Sequence, residues 1–253
     1  MKRFLLMIIP PVVPVLLIVV LLEFLVREEY VQAWLVPTPT SVARSMTDNF
    51  AELRDATWQT LKGATIGFAL AGLIGVLCAV ALSSAVWVRR MFYPLAVFMQ
   101  TVPIIAIAPL LVIWIGFDIK TVAASAFIVS VFPVIANTLT GLLSTDPALR
   151  DLFRLYGAGN VGALLKLRLP FALPNIFTGL RIAAGLSVVG AIVGEFITGG
   201  GIGGVIDVSR TQQDVNKIFA SLLIGSVLGI VLFGAVNLVS WFLLRHWHAS
   251  ENS

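Results

Sequence analysis

The chain has 253 residues, of which 58% are hydrophobic and 12% charged, and its mean hydropathy is +0.99. A water-soluble domain carries about 25% charged residues, so this chain has too little polar surface to face water, and lipid is its expected solvent. The net charge of +4 comes without the dense basic cluster that nucleic acid requires; the cytoplasmic loops of a membrane protein account for it.

A helix needs about 20 apolar residues to cross the hydrocarbon. Six windows meet that length, roughly 4–26, 58–83, 91–115, 120–143, 172–198 and 216–244. No period-two alternation suggests a membrane barrel. The first window follows Lys2 and Arg3, but it outruns the apolar region of a signal peptide and no small-x-small cleavage site follows, so it is expected to be an uncleaved span. Pro10, Pro11 and Pro14 are expected to kink or delay its helix. The segment 27–57 contains Pro37-Thr38-Pro39-Thr40 and then a helical pattern of mixed charge. Thr40 or Ser41 is its expected cap, and the segment is expected at the outer surface. Cys78 lies in the second apolar window with no cysteine to pair with.

The third window holds Pro94, Pro103 and Pro109, with Gln100 and Thr101 between them. Proline removes backbone hydrogen bonds that lipid cannot replace, so such a segment faces protein or a water-filled cavity. Broken helices form solute sites in transporters, although membrane prolines also simply kink helices. Asn137 and Thr138, in the fourth window, face the same cavity or bond between helices. Glu195 lies near the end of the fifth window, where a carboxylate serves the outer gate or the solute. Gly199 to Gly204 reads as a close-packed turn rather than a nucleotide loop, because no strand precedes it. Gly190/Gly194 and Gly225/Gly229 fit the small-xxx-small packing pattern. Arg181 is expected to snorkel to the interface, and His246 and His248 to lie in a solvated tail.

Between the fourth and fifth windows the chain turns polar. Asp146-Pro147 starts a short helix with Leu149, Leu152, Phe153 and Tyr156 near helical spacing, and Gly157 and Gly159 stop it. A second short helix follows, and Pro170 and Pro174 begin the fifth span. Such a pair lying flat on the membrane is either a docking element for another protein or an amphipathic loop on the headgroups. An amino terminus in the cytoplasm puts this stretch there too. The cytoplasmic ends then carry +7 and the other side −3. The positive-inside rule prefers that arrangement, and the short loop with Arg89 and Arg90 supports it. Both termini are therefore expected inside.

The polar stretch resembles the EAA loop of the membrane subunits of bacterial ATP-binding-cassette (ABC) importers, which reads Glu-Ala-Ala, three residues, Gly, nine residues, Ile-x-Leu-Pro. Asp151-Leu152-Phe153 stands in the first place, with two side chains far bulkier than alanine. Gly157 takes the glycine place and Leu167-Arg168-Leu169-Pro170 falls in register. Further stretches, among them VPTPTSV, VPIIAIAPLLVIWIGF, LPFALPNIFTGLRIAAG and GEFITGGGIGGVI, are similar to permeases of the nitrate, sulfonate and taurine group. The resemblance implies an all-α membrane protein with six transmembrane helices and the type I ABC importer permease fold. It implies a first helix and outer segment (1–56), a permease core (57–245) and a cytoplasmic tail (246–253), in a bacterial inner membrane. ATPase subunits would dock at about 146–166, where Asp151, Leu152, Phe153, Tyr156, Gly157, Ala158, Leu169 and Pro170 are the implied coupling residues. A binding protein would deliver solute, and two copies, or two related chains, would form the pathway, a homodimer being the expectation. Gln100, Thr101, Pro103, Asn137 and Glu195 are its candidate residues. The implied solutes are nitrate, bicarbonate, sulfonates, taurine or neutral vitamin precursors.

The chain carries no Gly-x-x-x-x-Gly-Lys-Ser/Thr, so ATP is expected on a partner and no cofactor on this chain. No Ser-His-Asp, metal or paired-carboxylate set points to an enzyme. A secondary transporter or channel would want ionisable groups through the membrane, for which only Glu23 and Glu195 are available.

Overall fold

The computed structural model describes residues 2–245, with side chains described for Pro10 and from residue 13 onward. The expected tail, with His246 and His248, lies outside the described residues. The elements in chain order are α1 (Lys2–Arg27), α2 (Pro39–Asp48), α3 (Phe50–Ser84), α4 (Val86–Thr101), α5 (Ile104–Ile115), α6 (Ile119–Leu143), α7 (Pro147–Leu155), α8 (Asn160–Ala163), a π turn over Leu164–Arg168, α9 (Leu169–Thr198), α10 (Gly201–Thr211) and α11 (Val215–Leu244). No strand occurs among the described residues.

Four segments among the described residues are long and apolar enough to cross a membrane: α3, α6, Asn160–Thr198 and α11. The pair α4 and α5 makes a fifth if it counts as one span, although its halves bend by 96°. The expected count of six is not reached in this way. Its first member falls on α1, whose side chains before Pro10 lie outside the described residues. The α1 helix starts at Lys2, so its prolines do not delay it.

The third expected span breaks at one of its three prolines, Pro103, while Pro94 and Pro109 lie inside helices. Val102 and Pro103 are extended, with ψ 122° at each, because a residue before proline is driven out of the helical region. The α2 helix begins two or three residues earlier than expected. Thr38, not Thr40 or Ser41, is its cap and accepts the Ser41 N–H at 3.1 Å. Pro39 then fills the first helical position, where no N–H is needed. The second short helix of the polar stretch is likewise not separate. It runs through the π turn into α9, and the Leu169 N–H bonds to the Leu164 carbonyl. Pro170 lacks an N–H and crowds the carbonyl one turn back, and the wider π turn accommodates it.

The α6 helix is the centre of the bundle. A side chain at Gly63, Gly67 or Gly75 of α3 would strike Val122, Ala126 or Val134 of α6 in turn, a constant offset that makes α3 and α6 parallel. Gly194, Gly190 and Gly179 of α9 meet Val122, Ala126 and Pro133, so α9 is antiparallel to both. Lipid is as apolar as leucine, so close backbone approach and van der Waals contact, rather than water exclusion, hold such helices together. The α11 helix packs on α9, while α10 wedges against α3, α9 and α11 at one end of the bundle.

Candidate functional site

At one end of the bundle the chain makes an elbow. Asp146 caps α7 by accepting the Ala148 N–H at 2.8 Å, with Pro147 at the first helical position. The far end closes as a Schellman motif: Ala158 N–H bonds to Phe153 O at 2.9 Å and Gly157 N–H to Arg154 O at 3.0 Å. That motif needs a left-handed residue after the cap, and Gly157 supplies φ +74°. Leu155 is 85% and Tyr156 84% exposed, and Leu152 and Val161 are exposed beside them. Asp151 and Arg154 form an exposed pair at 3.5 Å.

Six of the expected coupling residues, Asp151 to Phe153 and Tyr156 to Ala158, share this elbow. Leu169 and Pro170 do not. They are half-buried at the start of α9, and Leu169 packs on the core formed with Leu139, Leu142 and Ala172. Two residues take a structural part that the sequence reading did not give them. Arg150 donates to the Leu143 carbonyl at 2.8 Å, and Arg168 donates to Leu142 O at 3.2 Å and to Ser83 O at 3.4 Å. They satisfy carbonyls left over at the ends of α6 and α3, and so tie the elbow to two long helices. The signal was available: a basic residue near a helix C-terminus has such a use.

The expected pathway residues do not form one cluster. Gln100, Thr101 and Pro103 are exposed at the α4–α5 break, and the Thr101 hydroxyl turns back to Phe98 O at 2.7 Å. Asn137 donates Nδ2 to Pro133 O at 2.8 Å within α6, beside the close approach of Gly179. Arg181, expected at the interface, donates to Ser240 Oγ of α11 at 2.6 Å. Glu195 lies on α9 sixteen residues beyond Gly179, ~24 Å along the helix at 1.5 Å per residue, so it cannot share a site with Asn137.

Glu195 is 2% exposed, and its Oε2 accepts from the Thr60 hydroxyl at 2.8 Å and from the Gly203 N–H at 3.1 Å. A buried carboxylate needs such donors. The glycine run beside it is packed tightly, as expected, but it is mostly helix, because α10 begins at Gly201 and only Gly199 and Gly200 form the turn. An open depression of ≈ 330 Å³ lies next to it, lined by Gln59, Lys62, Asp118, Glu195 and Thr198. Nearby, Lys217 of α11 reaches Glu52 of α3 at 2.6 Å.

Comparison with known proteins gives a consistent set of matches. Residues 71–248 match the family described as "Binding-protein-dependent transport system inner membrane component". The formylaminopyrimidine transport permease protein ThiX of Halalkalibacterium halodurans is 36% identical over 219 residues, 84% of this chain and 86% of that one. The riboflavin transport system permease protein RibX of Chloroflexus aurantiacus is 28% identical, covering 86% of this chain and 82% of its own. The putative aliphatic sulfonates transport permease protein SsuC of Bacillus subtilis is 29% identical, covering 87% and 80%. Among solved structures, the MetNI methionine ABC transporter in inward-facing form matches with a TM-score of 0.60 at 16% identity, over 74% of this chain and 94% of that one. That likeness concerns the fold, which is the type I ABC importer permease fold. With apolar spans, a packed helical core and a family match over most of its length, the chain belongs to the binding-protein-dependent transport system inner membrane components, a permease family of multi-pass inner membrane proteins.

Proposed function

We propose that the chain is the translocation subunit of an ATP-driven importer, coupled to separate ATPase subunits through the elbow of α7 and its following turn. The observation that carries this reading is the state of Leu152, Leu155 and Tyr156. They form an exposed apolar surface on a short helix that is capped at both ends and tied to α6. A rigid helix transmits a displacement that a loose loop would absorb. The elbow end of the bundle, with Arg89, Arg90, Arg150, Arg154, Lys166 and Arg168, faces the cytoplasm in this reading, with both chain termini. A solute-binding protein serves the opposite face, and a second copy of the chain completes the pathway around the α4–α5 break. The six-span count, with α1 as the first span, belongs to the same proposal. The solute is a small anion or a vitamin precursor, in line with the solutes named for the relatives.

Co-expression with a candidate ATPase followed by mild-detergent purification tests this. The two proteins are expected to elute together, and Leu155→Asp with Tyr156→Asp is expected to separate them. Failure of the unaltered pair to associate counts against the coupling role.

A further inference from the structure

The first amides of a helix have no partner within it, and α10 begins on Gly199, Gly200 and Gly201, which carry no side chain to cap them. Its amides are met instead from other helices. The Gly201 N–H donates to Gln59 Oε1 at 3.1 Å, the Ile202 N–H to Thr60 Oγ1 at 2.9 Å and the Gly203 N–H to Glu195 Oε2 at 3.1 Å. The Thr60 hydroxyl donates onward to the same Glu195 oxygen at 2.8 Å. Two adjacent residues of α3 and one of α9 thus meet three successive amides of the first turn. Gly201, at φ +57°, lies so close to the Glu195 carboxylate that a side chain there has no room.

This cap fixes the place of α10 as well as its first turn. Beneath the helix, Ile202 and Val205 pack on Leu53 and Ala56 of α3, while Val208, Arg210 and Thr211 at its far half are exposed. The depression lined by Gln59, Lys62, Asp118 and Thr198 opens directly beside the cap. An amide or carboxylate left buried without a partner is strongly disfavoured. Three of the four hydrogen bonds share Thr60 or Glu195 and are therefore coupled, and the Gln59 bond holds the neighbouring Gly201 amide of the same turn.

We infer that Gln59, Thr60 and Glu195 are positioning residues of the outer gate, a latch that holds α10 across the ends of α3 and α9 and releases it when the permease opens outward. This rests on the transport reading above for its outer face and its cycle. It assigns Glu195 a role in holding the gate shut rather than in touching solute, and it adds Gln59 and Thr60 to that role.

The test is a thiol-accessibility measurement on the full chain in cells. In a Cys78→Ala background, Ala56→Cys places a thiol under α10 at a position 6% exposed. A membrane-impermeant maleimide added from outside reports lifting of α10. Thr60→Val removes the shared hydroxyl at nearly constant shape and is expected to raise the labelling rate about tenfold, as loss of a buried hydrogen-bond partner implies. Thr60→Ser is expected to restore the slow rate. Glu195→Gln and the milder Gln59→Leu, at an exposed position that tolerates change, are expected to raise it as well. Leu142→Cys, fully buried at the opposite end and probed with a membrane-permeant maleimide, is expected to stay unreactive in every variant. Unchanged Ala56→Cys labelling in Thr60→Val and Gln59→Leu overturns the latch. So does an equal rise at Leu142→Cys, which means general loosening. The labelling needs no ATPase, so its outcome is separate from the association experiment that tests the transport reading.

Discussion

At Gly157 the backbone stands at φ +74°, and nothing lies within 4 Å of the position a Cβ would take. A substitution there meets backbone strain of about 1–2 kcal/mol but no clash inside the chain. Gly157→Trp is therefore expected to insert and accumulate like the parent chain. Placed beside Tyr156 on the docking surface, the indole is expected to abolish solute-stimulated ATP hydrolysis in the assembled transporter. Unchanged stimulation, measured in proteoliposomes with ATPase and binding protein, counts against a docked elbow. The residue scale also shows how far one position was legible. The glycine stop after α7 followed from the sequence because only glycine takes that conformation without a steric cost. The roles of Arg150 and Arg168 depend on which carbonyls lie within reach. Leu143 is close to Arg150 in sequence, but Ser83 is a contact of Arg168 only after folding.

The element scale belongs to α3 and α6. Gly63, Gly67, Ala71, Gly75 and Ala79 recur on one buried face of α3, a longer stripe than the two glycine pairs that fit the small-xxx-small pattern. Of those pairs, Gly190 and Gly194 press on α6 and Gly225 on Ile192, whereas Gly229 faces open space. Spacing alone cannot separate these cases, because it does not say which face a neighbour covers. The difference is measurable. A Cβ at Gly67 would lie 2.6 Å from the Ala123 carbonyl oxygen, so Gly67→Leu must push α3 off α6. Overpacking of this kind costs about 1–3 kcal/mol, and the melting temperature in mild detergent is expected to fall by roughly 5 °C. Gly229→Leu is expected to leave it unchanged. Equal melting temperatures would show that the α3–α6 approach does not hold the bundle together.

For the whole molecule the question is which end faces which side. The elbow and the ends of α3 and α6 lie together at one end of the bundle. The α10 helix, Asp118 and the starts of α3 and α11 lie at the other. The charge count assigns the first end to the cytoplasm. In the Cys78→Ala background, Leu155→Cys is expected to react with an impermeant maleimide only after the cells are opened, and Asp118→Cys in intact cells. The reverse pattern would move the elbow outside, beyond the reach of any cytoplasmic ATPase.

Composition and run length were enough to determine a helical membrane protein, since a chain with so few charges has no other solvent. The position of the polar elbow and its glycine stop also followed from sequence, because each depends on the conformation of one or two neighbouring residues, whereas of the three prolines in the third window only Pro103 stands at a break. Tertiary structure alone decided three things. It separated Asn137 from Glu195 by most of the membrane's depth, it left Leu169 and Pro170 out of the exposed elbow, and it joined Thr60 to Glu195 and Gln59 to Gly201 across well over a hundred residues of chain. The physical reason is common to all three: hydrogen bonds and packing between helices depend on the faces that meet, and neither helical period nor local spacing fixes which faces those are.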